Sequence, residues 1–145
     1  MDFARLVEFT GNHPFLILAF LGTLIALVYL EVSRRMSGMT TVGPSEATQL
    51  SNRENAVFLD IREDREYQGG HIPEAVHIPL SKLSSRVSEL DKHKQKPIVA
   101  YCRSGNRSTA AGGILKKSGF ESVYNLGGGI MAWEKANLPV STKSN

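Results

Sequence analysis

The sequence predicts an α/β domain, with a parallel sheet covered by helices on both faces, preceded by one N-terminal transmembrane helix. Short apolar runs of strand length alternate with segments of helix length from about residue 44 onward. This order favours parallel strands, because right-handed crossovers need helix-length connections. No charged side chain occurs between Glu8 and Glu31, a stretch long enough to cross a bilayer.

The composition is that of a small folded protein. A chain of 145 residues, 41% hydrophobic and 21% charged, has room for one domain with an ordinary core. The net charge is +3 and the pI is near 9.1, and the basic residues are scattered, so we expect no nucleic-acid binding. Cys102 is the only cysteine, and no Cys/His spacing suggests metal ligands, so we expect no disulfide within the chain and no metal.

Residues 15–32 are predicted to form the transmembrane helix, after an N-terminal flank at residues 1–14. At about 1.5 Å per residue, the uncharged stretch 9–30 makes a helix of about 33 Å, against a hydrocarbon core of about 30 Å. Tyr29 suits the interface, and Arg34 and Arg35 follow as a stop. A buried core helix needs a polar face, and a signal peptide needs a small-residue cleavage site. Both alternatives fit this segment less well.

Residues 33–43 are predicted to be a linker, and residues 44–145 the folded domain. Pro44 suits the first turn of a helix ending near residue 52. The apolar run 56–61 is typical of a strand buried on both faces. The remaining predicted elements are a helical turn at 64–68, strands at 75–78, 97–101 and 123–125, and helices at 81–90, 107–118 and 129–136.

The strand at 97–101 leads directly to Cys102, and a loop through Ser108 precedes the next helix. In such a loop the backbone N–H groups point inward, Gly105 allows tight curvature and the helix N-terminus favours an anion. With Arg103 and Arg107 nearby, we expect the thiol pKa to fall below the ~8.5 of a free cysteine. A lone cysteine can also be a small buried apolar residue, but two arginines this close favour a nucleophile.

Four short motifs, in this order, resemble those of the rhodanese-like domains. They are Asp60-Ile61-Arg62, Gly70-His71-Ile72-Pro73, Cys102-Arg103-Ser104-Gly105-Asn106-Arg107-Ser108, and Gly127-Gly128-Gly129 with Trp133. Glu74 departs from the pattern, which usually has a glycine-like residue there. The whole chain also resembles bacterial inner-membrane rhodaneses, on the segments 12–14, 45–48 and 92–97.

The resemblance implies a sulfurtransferase that needs no cofactor. Cys102 would be the catalytic nucleophile, taking sulfur from thiosulfate or a persulfide as its own persulfide and passing it to a thiol, or to cyanide in vitro. The residues implied to bind the small anionic donor are Arg103, Ser104, Gly105, Asn106, Arg107 and Ser108. Asp60 and Arg62 would support the loop, or form a structural ion pair.

Two other functions remain open. Phosphatases and arsenate reductases share the fold but place the arginine six positions after the cysteine, where this chain has Ser108, so this activity is less favoured. The domain could instead serve chiefly to bind a membrane-protein partner.

The resemblance also implies a single-pass protein of the bacterial inner membrane, held in the lipid bilayer through residues 15–32. We expect the domain to face the cytoplasm, because Arg34 and Arg35 follow the span whereas only Arg5 precedes it. A reducing compartment also suits a single reactive thiol.

Overall fold

A computed structural model describes residues 13–36 and 39–142, with side chains given only as far as residue 29 in the first range. The chain divides into two units, residues 1–36 and 37–145. In the first unit the described residues form one helix, α1 (Pro14–Met36). Its large apolar side chains are exposed, namely Phe15, Leu16, Leu18, Phe20, Leu21, Leu24, Ile25, Leu27, Val28 and Tyr29.

Helix α1 contains the whole segment 15–32 that the sequence predicts to be helical and membrane-spanning. Among the residues whose side chains are described, no helix is both long enough and apolar enough to cross a membrane. The crossing therefore stays a prediction. Most of the predicted flank, residues 1–12, lies outside the described residues.

The second unit alternates strands and helices along the chain. Its elements are β1 (Thr40–Val42), α2 (Pro44–Glu54), β2 (Val57–Asp60), α3 (Asp64–Gln68), β3 (Val76–His77), α4 (Leu80–Arg86), a 3₁₀ helix (Val87–His93), β4 (Ile98–Tyr101), α5 (Asn106–Lys117), β5 (Val123–Leu126) and α6 (Gly129–Lys135). The strands form one sheet in the order β1-β5-β4-β2-β3, and every neighbouring pair is parallel. The predicted parallel α/β architecture is confirmed.

Alternate residues of the central strands point to opposite faces of the sheet and build two separate cores, as the two-residue period of a strand requires. On one face, Leu59 and Ile98 pack with Leu83 of α4 and Leu115 of α5. On the other face, the sheet packs against α2 and α6. The residues in this second core include Phe58, Val99 and Tyr101 of the sheet, Ala47 of α2, and Ile130 and Trp133 of α6. Helices therefore cover both faces, and β4 lies at the centre with its end at the carboxyl edge of the sheet.

Two boundaries differ from the sequence predictions. The linker predicted for residues 33–43 contains strand β1, which pairs with β5 at the edge of the sheet. The strand has three residues and only Val42 is buried, so it lacks the apolar run that marks the central strands. The helix predicted for residues 81–90 ends at Arg86, and the chain continues as a 3₁₀ helix to His93.

Candidate active site

The loop after β4 places Cys102 at the carboxyl end of the central strand, where open α/β sheets bind ligands. The residue is buried, with 1% of its surface exposed. Gly105 adopts a left-handed conformation (φ 95°) immediately before α5 and turns the chain into that helix. Because α5 begins so close to the thiol, its first amides can face the sulfur.

The groups that donate hydrogen bonds to the sulfur include a backbone amide and a side-chain hydroxyl. The Gly105 amide lies 3.1 Å from Cys102 Sγ, and the Ser108 hydroxyl lies 3.7 Å from it. The same hydroxyl is 2.5 Å from Asn125 Oδ1 and 3.0 Å from the Gly105 carbonyl oxygen. A serine has one hydroxyl proton, so these acceptors compete for it. Asn125, on the neighbouring strand β5, therefore competes with the sulfur for the hydroxyl proton of Ser108.

The surroundings of Cys102 favour its thiolate. Burial is the largest single influence and raises the pKa of the thiol, but hydrogen bonds from the backbone of Ser108, Ser104 and Gly105 and from the Ser108 hydroxyl outweigh it. The net effect is a lowered pKa. The direction is the one that the sequence predicts, but the cause is chiefly the amides of the loop and helix rather than the two arginines.

The two arginines of the loop are differently placed. Arg103 is exposed. Arg107 lies in the first turn of α5, where its terminal nitrogens donate to both carboxylate oxygens of Glu66 at 2.8 and 2.7 Å. Hydrogen bonding to Glu66 is the main cause that raises the pKa of Arg107. Glu66 comes from α3, 41 positions earlier in the chain, and no local pattern in the sequence identifies it as a partner.

The other two predicted loop residues that contact solvent are Ser104 and Asn106, which are both exposed. Ser104 follows Arg103 in the loop, and Asn106 is the first residue of α5. Their side chains are therefore accessible to solvent, within four residues of Cys102 along the chain.

Asp60, the last residue of β2, forms a buried ion pair with Arg62. Arg62 Nη2 lies 2.6 Å from Asp60 Oδ2, and it also donates to the Gly70 carbonyl oxygen at 2.7 Å. The Arg62 side chain packs over the ring of Tyr101, with 5.7 Å between the guanidinium carbon and the ring centroid. The ion pair therefore joins the end of β2 to the backbone of Gly70 and lies against the last residue of β4. Its support of the cysteine loop stays a prediction.

The glycine turn at 127–129 contacts the cysteine loop directly. The Ile130 amide donates to the Cys102 carbonyl oxygen at 2.9 Å, and the Met131 amide donates to that of Arg103 at 3.3 Å. Gly129 has φ 59°, and a Cβ placed there would lie 2.6 Å from the Arg103 carbonyl carbon. The three glycines are visible in the sequence, but only the structure shows that the turn they form leads into residues that hydrogen-bond to the backbone of Cys102 and Arg103.

His71 is a packing residue. It is 1% exposed, and its Nδ1 lies 3.1 Å from the Tyr67 carbonyl oxygen. Its ring stacks on that of Tyr67, with centroids 3.8 Å apart. Within residues 13–36 and 39–142, no group of three or more His, Cys, Asp or Glu side chains is placed to hold a metal ion.

This fold and loop match a known family. The family model described as the rhodanese-like domain covers residues 43–136, and the chain belongs to that family. It is 32% identical over 137 residues to the uncharacterized protein YibN of Escherichia coli K12, covering 94% of this chain and 96% of YibN.

Two further likenesses concern the domain alone. The chain is 33% identical over 99 residues to the thiosulfate sulfurtransferase GlpE of Pseudomonas savastanoi, covering 68% of this chain and 91% of GlpE. A crystal structure of a rhodanese-related protein from Thermoplasma volcanium superposes with a TM-score of 0.64 at 27% identity, covering 72% of this chain and 99% of the other. The family relatives thus include sulfur-transferring enzymes.

Proposed function

We propose that the protein is a sulfurtransferase that carries sulfane sulfur as a persulfide on Cys102. The single observation that carries the proposal is the buried Cys102 sulfur beside the Gly105 amide and the Ser108 hydroxyl, with its pKa lowered. A thiolate is the form of cysteine that attacks sulfur, so a site that stabilises the anion prepares the nucleophile.

In the first half-reaction, the Cys102 thiolate donates an electron pair to the outer sulfur of the donor. A new S–S bond forms to Cys102 Sγ, and the S–S bond of the donor breaks. With thiosulfate the bonding pair leaves on sulfite, and with a persulfide it leaves on a thiolate. The charges balance, because the outer sulfur keeps the negative charge that it carries in the donor, and the negative charge of the attacking thiolate leaves with the bonding pair on sulfite or on the thiolate.

In the second half-reaction, an acceptor thiolate attacks the terminal sulfur and leaves as the new persulfide. The Cys102 thiolate departs with its bonding pair, so no net redox change or external proton is needed. The loop amides and the Ser108 hydroxyl that stabilise the thiolate are also placed to stabilise this leaving group. Cyanide can replace the thiol acceptor in vitro and would leave as thiocyanate.

The test of this proposal is turnover by the purified full-length chain with thiosulfate and cyanide. We expect thiocyanate formation, and we expect Cys102→Ser to abolish it because the chain has no second cysteine. Ser45→Ala, an exposed position on α2, serves as the matched control and should keep full activity. Turnover retained by Cys102→Ser contradicts the proposal, whatever the behaviour of the control.

We further propose that α1 attaches the enzyme to a lipid bilayer and that the domain faces the cytoplasm of a bacterial cell. The exposed apolar side chains of α1 support attachment, because water disfavours so many apolar groups on one helix. The charge distribution supports the orientation, because Arg34 and Arg35 follow the apolar stretch whereas only Arg5 precedes it.

The same exposed helix favours a second candidate role, in which the membrane-attached domain chiefly binds a membrane-protein partner. The two roles make different demands on the thiol. If partner binding is the main role, Cys102→Ser should keep the cellular phenotype of the unaltered protein. If sulfur transfer is the main role, that substitution should act like deletion of the whole chain.

A further inference from the structure

Arg107 connects the active-site loop to an anion supplied by the chain itself. Its two terminal nitrogens bind both oxygens of Glu66 at 2.8 and 2.7 Å. The hydrogen bond to Glu66 is the main cause that raises the pKa of Arg107, and the charge of the Cys102 thiolate acts in the same direction. The cation beside the sulfur is therefore already engaged by a carboxylate.

The Glu66 carboxylate is held in this position from a second side. In the first turn of α3, the backbone N–H of Glu63 donates to Glu66 Oε2 at 3.3 Å as part of a capping box. The hydrogen bond from Arg107 is the main cause that lowers the pKa of Glu66, so the group is negative at neutral pH. Rotating the carboxylate away would break its contacts with the arginine and the helix cap together.

A sulfur donor that binds near Arg107 therefore meets a guanidinium that already donates two of its five N–H groups to Glu66, and it meets the fixed negative charge of that carboxylate. The energetic cost of that charge grows with the charge of the donor, so it is greater for a dianion than for a monoanion. Arg103, which is exposed, offers the donor a second cation at the loop, but at the surface, where water and salt weaken its attraction.

We propose that Glu66 is a specificity-determining residue that disfavours dianionic donors such as thiosulfate and favours donors that carry a single negative charge, such as a simple alkyl persulfide. The inference rests on the proposed sulfur transfer through Cys102. It assigns Glu66 no contact with the reacting sulfur, since the carboxylate acts through Arg107.

Two small donors differ in net charge but react with the cysteine in the same way. Thiosulfate is a dianion, and methanethiosulfonate is a monoanion that also presents a terminal sulfane sulfur. With either donor the Cys102 thiolate forms a bond to that sulfur while the S–S bond of the donor breaks. The bonding pair leaves on sulfite in the first case and on methanesulfinate in the second, and the same cysteine persulfide results.

The experiment compares KM for both donors in the full-length chain and in Glu66→Gln. We expect KM for thiosulfate to fall by about fivefold, the effect of an ion pair of ordinary surface strength, and KM for methanethiosulfonate to change less. Glu89→Gln is the matched control, because Glu89 pairs with Arg86 through two contacts of 2.6 and 2.8 Å at an exposed site. It should alter neither KM.

The ratio of the two KM values does not depend on the folded fraction of a sample, so a partly unstable variant still gives an answer. Glu66→Ala provides a second removal of the charge and should shift the ratio in the same direction. An unchanged ratio in both variants, even if both KM values rise together, overturns the inference. Glu66 would then be only a structural partner of Arg107. If neither donor loads Cys102 in the unaltered chain, the proposed function itself fails.

Discussion

At the scale of single residues, one hydroxyl proton has three possible acceptors, and one of them is the sulfur of the nucleophile. Ser108 can donate to Cys102 Sγ, to the Gly105 carbonyl oxygen or to Asn125 Oδ1. When the sulfur carries a negative charge it is the strongest acceptor of the three, because hydrogen bonds to charged groups are stronger than those to neutral groups. The hydroxyl is therefore expected to turn toward the thiolate as it forms.

Removing that hydroxyl should raise the pKa of Cys102. Because the pKa is lowered in the folded protein, thiolate reactivity should persist below the usual range of a thiol and disappear as the pH falls through the lowered value. In Ser108→Ala the profile of iodoacetamide alkylation should move to higher pH. Below the thiol pKa, the rate should drop about tenfold, the equivalent of one hydrogen bond to a charged group.

The matched control for that change is Ser118→Ala, at the C-terminal end of the same helix. Its hydroxyl also bonds within α5, to the Ile114 carbonyl oxygen at 2.9 Å, but it lies away from the sulfur. It should leave the alkylation profile where it is. If Ser108→Ala gives the unaltered profile as well, the amides alone stabilise the thiolate.

At the scale of elements, the sequence predicts those parts whose signal is local. The apolar run of β2 and the Pro44 start of α2 locate their elements to within a few residues. The strand that it misses, β1, gains its stability from pairing with β5, more than 80 residues along the chain, as in Thr41 opposite Asn125. Its own three residues carry too little apolar pattern to predict it.

The same difference between local and long-range signals decides which parts of the active site the sequence predicts. The loop from Cys102 to Ser108 is contiguous, so its curvature and its amide-lined centre follow from Gly105 and the helix start. Glu66 and Asn125 reach it from other elements, and long-range contacts of this kind leave no periodic trace in a single sequence. The predicted position of the nucleophile therefore needed only local rules, whereas its partners required the fold.

The glycine turn before α6 should be intolerant of a side chain, because it clamps the cysteine loop. In Gly129→Ala, a methyl group would overlap the Arg103 carbonyl, in a residue whose φ of 59° favours glycine. We expect the free energy of unfolding to fall by about 1–3 kcal/mol and kcat/KM to fall with it, as the loop shifts. Urea unfolding and thiosulfate turnover measure the two effects.

Gly113→Ala is the control for that prediction. Gly113 lies within α5, and a methyl group added there would meet no neighbouring atom within 4 Å, so alanine should fit and should stabilise the helix by about 0.5–1 kcal/mol. Equal behaviour of the two variants would show that the turn at Gly129 can relax without moving the cysteine loop.

At the scale of the whole molecule, the proposed attachment and orientation predict the accessibility of one thiol. If the domain faces the cytoplasm, a membrane-impermeant maleimide added to intact cells should leave Cys102 unmodified, whereas it should modify the residue after lysis. Because Cys102 is buried, a small permeant maleimide must first be shown to label it in intact cells. Equal labelling by the impermeant reagent before and after lysis contradicts the proposed orientation.

The persulfide on Cys102 can itself be observed as a change in the mass of the chain. The full-length chain is incubated with thiosulfate, freed of small molecules without reductant and measured by intact mass spectrometry. We expect a gain of about 32 Da, one sulfur atom, on Cys102 alone, and its loss on addition of cyanide or a thiol. No gain, or a gain of about 80 Da from transfer of the sulfite group instead, contradicts sulfur transfer through this cysteine.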